Sequence, residues 1–217
     1  MVVPSGPGLV TISKDLRYKE AVQNSDFAIP DSGYMVFLLR VLKRVKIKKL
    51  SGYVFLKRFL HEEKFKINEL FLVDPTEKES KLNNDYLTTL GIPIDSSYQY
   101  VAPMYGSNDI VDPLLIEKLN NLIQKPKYII INLGSGIQEP LGLYLKKNLN
   151  FKPGIICTGA AIAFLNGEQA NILSLIDKMY LGWLSRCIKN PIVFIPRYVK
   201  AIGLFRLILK EKVIINS

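Results

Sequence analysis

The sequence predicts an α/β fold, a Rossmann-like parallel sheet with helices on both faces, followed by a basic helical C-terminal appendage. Two observations carry this. Short, continuous apolar runs at residues 128–133 and 154–158 alternate with helix-length segments, the pattern of parallel strands buried on both faces. After about Asn171 the alternation stops: residues 173–189, which include Trp183, read as an apolar helix, and residues 197–215 as a basic, apolar segment. The expected organisation is therefore a sheet domain over residues 1–170 and an appendage over residues 171–217. A chain of 217 residues suits that size, and 48% hydrophobic with 22% charged residues excludes a disordered or collagen-like chain.

In chain order, Pro4, Pro7 and two glycines in the first eight residues predict no helix there and lack the basic start of a signal peptide. Residues 14–24 suit a short helix, and Phe27-Ala28-Ile29 a short buried strand stopped by Pro30. Residues 33–43 carry a helical apolar pattern behind Asp31-Ser32, residue types that cap helices. Residues 53–63 predict another helix, with Val54, Phe55, Phe59 and Leu60 near helical spacing. A strand at 69–73 ends at Asp74-Pro75 and leads into a helix reaching Leu90, and residues 98–102 read as a strand. Asp112-Pro113 opens a helix to Gln124, with proline suited to the first turn. The strand at 128–133 runs into Gly134-Ser135-Gly136 and a helix to about Asn148; the strand at 154–158 runs into Gly159-Ala160-Ala161. The apolar stretch 153–167 is too short and glycine-rich to span a bilayer, so a cytoplasmic protein with reduced thiols is expected.

Charge narrows the partners. Of a net +10, residues 40–66 hold +8 and residues 178–217 hold +7, leaving −5 for the rest. Two basic zones on an acidic body suit a polyanion such as an anionic lipid surface or a diphosphate, or else form a solvated lysine-rich surface. No nucleic-acid reader motif is present, and the aromatics do not interleave with the basic runs, so no nucleic-acid partner is expected. The charges of residues 197–215 do not fall on one helical face, which argues against a clean amphipathic membrane helix there. Cys157 and Cys187 are 30 residues apart without a partner pattern, and His61 is the one histidine. A disulfide scaffold, a cysteine zinc site and a histidine-rich metal site are thereby excluded, and neither a metal nor a cofactor is expected.

A parallel sheet places its ligand at the carboxyl ends of its strands, and three stretches put polar or small residues there. In Pro30-Asp31-Ser32-Gly33, Asp31 could serve as a base and Gly33 could admit a ligand to the backbone, or Asp31 and Ser32 could simply cap a helix. In Asn132-Leu133-Gly134-Ser135-Gly136-Ile137-Gln138-Glu139, a glycine turn before a helix offers backbone N–H groups to a phosphate, or is an ordinary tight turn. It is neither a Walker loop nor a dinucleotide fingerprint, since Glu139 stands where a third glycine would be. In the third stretch, residues 158–167, small residues allow close backbone approach, for a ligand or for core packing.

Taken in order, these stretches resemble the WecG/TagA/CpsF glycosyltransferase family (glycosyltransferase family 26). The matching residues are Pro4-Ser5, Asp31-Ser32-Gly33, Gly134-Ser135-Gly136-Ile137-Gln138-Glu139, Gly159 through Gly167, and Leu181-Gly182-Trp183-Leu184-Ser185-Arg186 with Pro191 and Arg197-Tyr198. The resemblance covers nearly the whole chain and is loosest over residues 64–110. It implies an inverting, metal-independent transfer of a sugar from a nucleotide-diphosphate donor, UDP-linked, to a polyprenyl-diphosphate-linked acceptor. That chemistry belongs to surface-polysaccharide assembly on the inner face of the cytoplasmic membrane, with homo-oligomerisation left open. On this logic Asp31 is the catalytic base, and Arg186 and Arg197 come from a tail that closes the site. Ser5, Gly33, Gly134, Gly136, Gln138, Glu139 and Gly159 lie on the donor side. The sequence departs from the family at Ser5, where the family has Asn, and at Ala163, where it has Asp; Lys48-Lys49 only loosely match the family's basic position. Loss of one site carboxylate implies a different donor sugar, or else an inactive relative. The reading from another class is a non-catalytic basic module that binds polyanions or a synthase complex at the membrane.

Overall fold

In the computed structural model, residues 1–106, 110–167, 192, 196, 199 and 202–210 are described. Four short strands form an all-parallel sheet: β1 (Leu70–Asp74), β2 (Gln99–Val101), β3 (Tyr128–Ile131) and β4 (Gly154–Cys157), in the order β2-β1-β3-β4. The apolar runs explain the parallel pairing. Phe71, Leu72, Ile129, Ile130 and Ile131 have no exposed surface, so helices cover both faces, and each such side chain contributes roughly 1.5–3 kcal/mol on burial.

The helices described are α1 (Gly6–Thr11), α2 (Leu16–Gln23), α3 (Gly33–Lys43), α4 (Gly52–Glu62), α5 (Glu77–Thr89), α6 (Pro113–Asn121), α7 (Gln138–Asn148), α8 (Ala161–Leu165) and α9 (Gly203–Lys210). A single 3₁₀ turn, Ser96–Tyr98, leads into β2. Capping residues start most of them where the sequence indicates. Ser32 accepts from Met35 N, Thr76 from Glu79 N and Asp112 from Leu115 N. Asp112 also accepts the hydroxyls of Tyr100 and Tyr105, and burial together with that carboxylate pushes the Tyr100 hydroxyl up to about 12.

The N-terminus corrects two expectations. A helix does form there: Ser5 caps α1 by accepting from Gly8 N, and Pro7 falls in the first turn, where its missing N–H costs nothing. Residues 27–29 make a single bridge rather than a buried strand. Val2 bridges in parallel to Cys157 on one side and to Ala28 on the other, so Phe27 and Ala28 lie exposed at the sheet edge and only Ile29 is buried. The pairing order thus continues from β4 through Val2 to Ala28.

The window 197–215 holds a third difference. Within α9, Leu204 and Ile208 are buried one turn apart, while Phe205 and Leu209 are exposed, each next to a cation, Arg206 or Lys210. The helix is strongly amphipathic over its eight residues, a pattern diluted across the longer window 197–215. Its buried face joins Leu38, Leu9 and Val10 in a cluster separate from the sheet core. The helix expected at residues 173–189 lies outside the described residues.

Helix α7 approaches β4 closely because Gly142 faces the strand. A Cβ there would lie 2.9 Å from Cys157 Sγ and 3.4 Å from Ile155 Cγ2. Gly142→Ala gains about 1 kcal/mol of helix propensity against this crowding and should be nearly neutral. Gly142→Val adds two methyl groups beyond that Cβ, which the fixed strand side chains cannot avoid, and should lower urea stability by about 1–3 kcal/mol.

Candidate active site

The carboxyl ends of the strands converge on one crevice. Strand register makes Asp74, Asn132 and Thr158, each one residue past the last pairs Val73–Ile131 and Ile131–Cys157, lateral neighbours. Beyond them lie Ser5 and Asp31, carried to the same end of the sheet by the Val2 and Ala28 bridges. The connections after β1 and β3 leave in opposite directions, so the switch point of the sheet lies between Asp74 and Asn132.

Asp31 is half-buried, and its Oδ1 accepts from Gly52 N at 3.1 Å, the first turn of α4. The cap of α4, Ser51, makes no side-chain capping bond, so Asp31 supplies one from 21 residues away. Ser32 caps α3 itself, and Gly33 is the first residue of that helix. Asp31 is therefore not the cap of its own helix. Its Oδ2 makes no hydrogen bond among the described residues.

The glycine turn is held from beneath. Gly136 adopts φ 90°, and its N–H donates to Glu139 Oε2 at 2.7 Å. Ser135 Oγ and Gln138 Nε2 both donate to Glu139 Oε1. Gln138 Oε1 accepts from Gly159 N at 2.7 Å, where the backbone is again left-handed at φ 59°. Gln138 and Glu139 are both buried. The N–H groups of Ile137 and Gln138 bond Gly134 O. The expectation of unpaired N–H groups at this turn is thus not met at Gly136, Ile137, Gln138 or Gly159: Glu139 already occupies the helix N-terminus where a phosphate would sit. What stays open is space, since a Cβ on Gly134 or Gly136 would meet nothing within 4 Å.

Ser5 lies beside this loop. A Cβ on Gly8 would fall 2.5 Å from Ser135 Oγ, 3.1 Å from Ser5 Oγ and 3.2 Å from Tyr18 Oη, so three hydroxyls surround one backbone position. Tyr18 has no exposed surface, and burial, with Glu139 nearby, pushes its hydroxyl well above the ordinary range. The structure thus groups Ser5, Gly134, Gly136, Gln138, Glu139 and Gly159 around one loop pair, with Asp31 and Gly33 on the adjoining rim. Arg186 and Arg197 lie outside the described residues.

Sequence reasoning missed the residues at the switch point itself. Asp74 is fully buried, and its Oδ1 accepts from Asn83 Nδ2 and Asn132 Nδ2, each at 2.7 Å. Asn83 Oδ1 in turn accepts from Asn166 Nδ2 at the end of α8. A buried acid at a strand end was the available signal, at Asp74-Pro75, but the partners are 9 and 58 residues away. Burial pushes the carboxyls of Asp74 and Glu139 above their ordinary values against the pull of their hydrogen bonds.

Other chemistry does not assemble in this region. Cys157 is buried and its thiol is pushed up to about 12 by that burial, which makes it unreactive. His61 lies exposed on α4, its Nδ1 against Lys57 O. Among the described residues no three His, Cys, Asp or Glu side chains cluster as a metal site would require. A cavity of about 340 Å³ opens on the flank between α2, α7 and the start of β4, beside the Lys146–Asp26 ion pair. Its lining includes Glu139 but no other predicted site residue.

The raised Glu139 carboxyl has a stability consequence. The native state holds the proton more tightly than the unfolded chain, so this group's contribution declines as pH rises above its ordinary value of 4.5. Glu139→Gln removes that dependence but loses a loop hydrogen bond. The variant should be destabilised by about 1–3 kcal/mol near pH 4, and the gap should narrow as pH rises. Urea titrations between pH 4 and 8 measure it.

With the geometry in place, comparison with known proteins adds one positive finding. No individually curated protein matches the chain. The sequence model of the glycosyl transferase WecG/TagA/CpsF family matches residues 1–216, essentially the whole chain. The chain belongs to the WecG/TagA/CpsF family of glycosyltransferases, which act in cell-surface polysaccharide biosynthesis.

Proposed function

We propose that the chain transfers a hexose or N-acetylhexosamine from a UDP-linked donor to a polyprenyl-diphosphate-linked acceptor, with inversion and without a metal, in assembly of a capsule or exopolysaccharide. Within the family match, the observation that carries this is the place of Asp31. Its carboxylate sits at the carboxyl ends of the sheet, with one oxygen fixed by Gly52 N–H. In the transfer, the acceptor hydroxyl oxygen bonds the anomeric carbon from the face opposite the diphosphate. Its proton passes to Asp31, and the bond from the anomeric carbon to the diphosphate oxygen breaks, the electron pair leaving with the nucleoside diphosphate. The N–H of Gly136 before α7 is already taken by Glu139, so stabilisation of the leaving group falls to cations, in this reading Arg186 and Arg197. Ser5, Gly33, Gly134, Gly136 and Gly159 shape the donor side, and Gln138 and Glu139 hold the loop that does so.

Asp31→Asn isolates the proton transfer, because the amide oxygen can still accept from Gly52 N and keep α4 in place. Transfer should fall 10²–10⁴-fold, the usual worth of a general base, with donor binding retained and the wild-type reaction unaffected by EDTA. Undiminished turnover would leave Asp31 with only its helix-capping bond and overturn its assignment as the base, whereas failure of the wild type to bind or turn over any sugar nucleotide would favour the binding-module reading.

The same proposal places the protein peripherally on the inner face of the membrane, with residues 171–217 as the appendage. No described helix is long and apolar enough to cross a membrane. Two packed helices, α3 and α9, expose Phe37, Val41, Phe205 and Leu209, and Arg40, Lys43, Arg206 and Lys210 belong to the same helices. Apolar residues set among cations suit an anionic leaflet, where each cation contributes about 1 kcal/mol. Deleting the tail would also uncover Leu38, so outward-facing changes are the cleaner probe. Phe205→Ser with Leu209→Ser should reduce co-sedimentation with anionic vesicles without lowering thermal stability, and high salt should reduce it in the wild type as well. Unchanged, salt-insensitive partitioning would remove the membrane role.

A further inference from the structure

The row across the sheet switch point contains more polar atoms than it can satisfy. Asp74, Asn132 and Thr158 follow paired positions on three adjacent parallel strands, so their side chains emerge on the same face about 4.8 Å apart. All three are buried. A carboxylate can only accept, so Asn132 and Asn83 must turn their amide NH₂ groups toward Asp74 Oδ1. That fixes what is left over: among the described residues Asp74 Oδ2, Asn132 Oδ1 and Thr158 Oγ1 are buried without a hydrogen-bond partner, and the nearby Ser80 hydroxyl is donated to Gln99 Oε1. Two are pure acceptors and the third is a hydroxyl. Buried acceptors without donors are costly, and three on adjacent strand ends at the switch point are where a parallel sheet takes its ligand.

We propose that Asp74, with Asn132 and Thr158, recognises a vicinal diol of the donor. The chemistry follows from what the row offers. Acceptors side by side repel a phosphate but match two neighbouring hydroxyl donors, and a carboxylate at the end of a parallel strand is suited to such a pair. The diol comes from the ribose of the nucleotide or from the hexose it carries. In either case the hydroxyl-rich part of the donor lies over β1 and β3, and the diphosphate points away from Asp74. The amide chain from Asp74 through Asn83 to Asn166 ties this row to the end of α8, so Asn83 is a positioning residue. This inference rests on the reading of the protein as a nucleotide-sugar transferase.

Asp74→Asn tests it, since the amide keeps the shape and can still accept from Asn83 and Asn132. Titration calorimetry compares wild type, Asp74→Asn and Thr158→Val with UDP, 2′-deoxy-UDP and UDP-glucose, and thermal unfolding checks that each variant is folded. If the ribose is read, Asp74→Asn weakens UDP by about tenfold or more, the worth of a charge-assisted hydrogen bond, and weakens 2′-deoxy-UDP, which keeps only the 3′-hydroxyl, clearly less. If the hexose is read, the loss appears with UDP-glucose and not with UDP. Equal losses for all three ligands mean a structural effect of the substitution, and no loss in a folded Asp74→Asn and Thr158→Val means that a buried water satisfies the row; either overturns the proposal. Failure of the wild type to bind any of the three overturns the donor reading, and this inference with it.

Discussion

The site depends on a two-residue piece of parallel ladder. Met1 O accepts from Cys157 N, Val2 N donates to Phe27 O, and Ile29 N donates to Val2 O. These bonds lay the N-terminal segment beside β4 and residues 27–29 beside that segment. Because all run parallel to the sheet, each segment's following residues emerge at the same end as Thr158. Ser5, Asp31 and Gly159 therefore meet in space, although they are separated by 26 and 128 residues in sequence. Without the pairing, Asp31 would sit on a loose connector, and its bond to Gly52 N would have no fixed frame. The helices reinforce the arrangement from outside, since Lys146 and Lys147 of α7 pair with Asp26 and Glu20, although exposed pairs of this kind add little stability.

The glycine loop separates holding from binding. Gln138 and Glu139 are the kind of polar residues that a motif reading assigns to a ligand, and they are the residues most deeply buried beneath the loop. A carboxylate that accepts from Gly136 N, Ser135 Oγ and Gln138 Nε2 has used much of its hydrogen-bonding capacity on its own loop. The left-handed backbone at Gly136 and Gly159 is what lets both turns present their peptide groups inward to these two side chains. Such rigidity suits a donor site, because a loop already fixed loses little freedom when ligand arrives. On the proposed reading, the same arrangement leaves the negative charge of a donor diphosphate to cations elsewhere in the chain.

Much of the scaffold was legible in the sequence because it rests on local rules. The bounds of α3 follow from Ser32 and the apolar spacing, and the strands from their continuous apolar runs. What could not be read were relations across the sheet. Parallel register pairs residues dozens of positions apart, so nothing periodic marks Asp74, Asn132 and Thr158 as a row. The edge position of Phe27 and Ala28 was hidden for a related reason: three apolar residues look the same whether one bridge or a full ladder holds them. Helix α1 was missed by treating Pro7 as a breaker when it sits in the first turn. The amphipathicity of α9 was lost by averaging over too long a window.

The departure at Ala163 acquires a physical setting in this fold. The family resemblance puts a carboxylate at that position on α8, and here the residue is buried alanine. One residue past α8, Asn166 donates to Asn83, which donates to Asp74. A buried carboxyl therefore exists two hydrogen bonds away from the end of α8, on β1 instead of on the helix. Two amides, Asn83 and Asn132, hold that acid, and strand register rather than helix orientation fixes its place in the sheet floor.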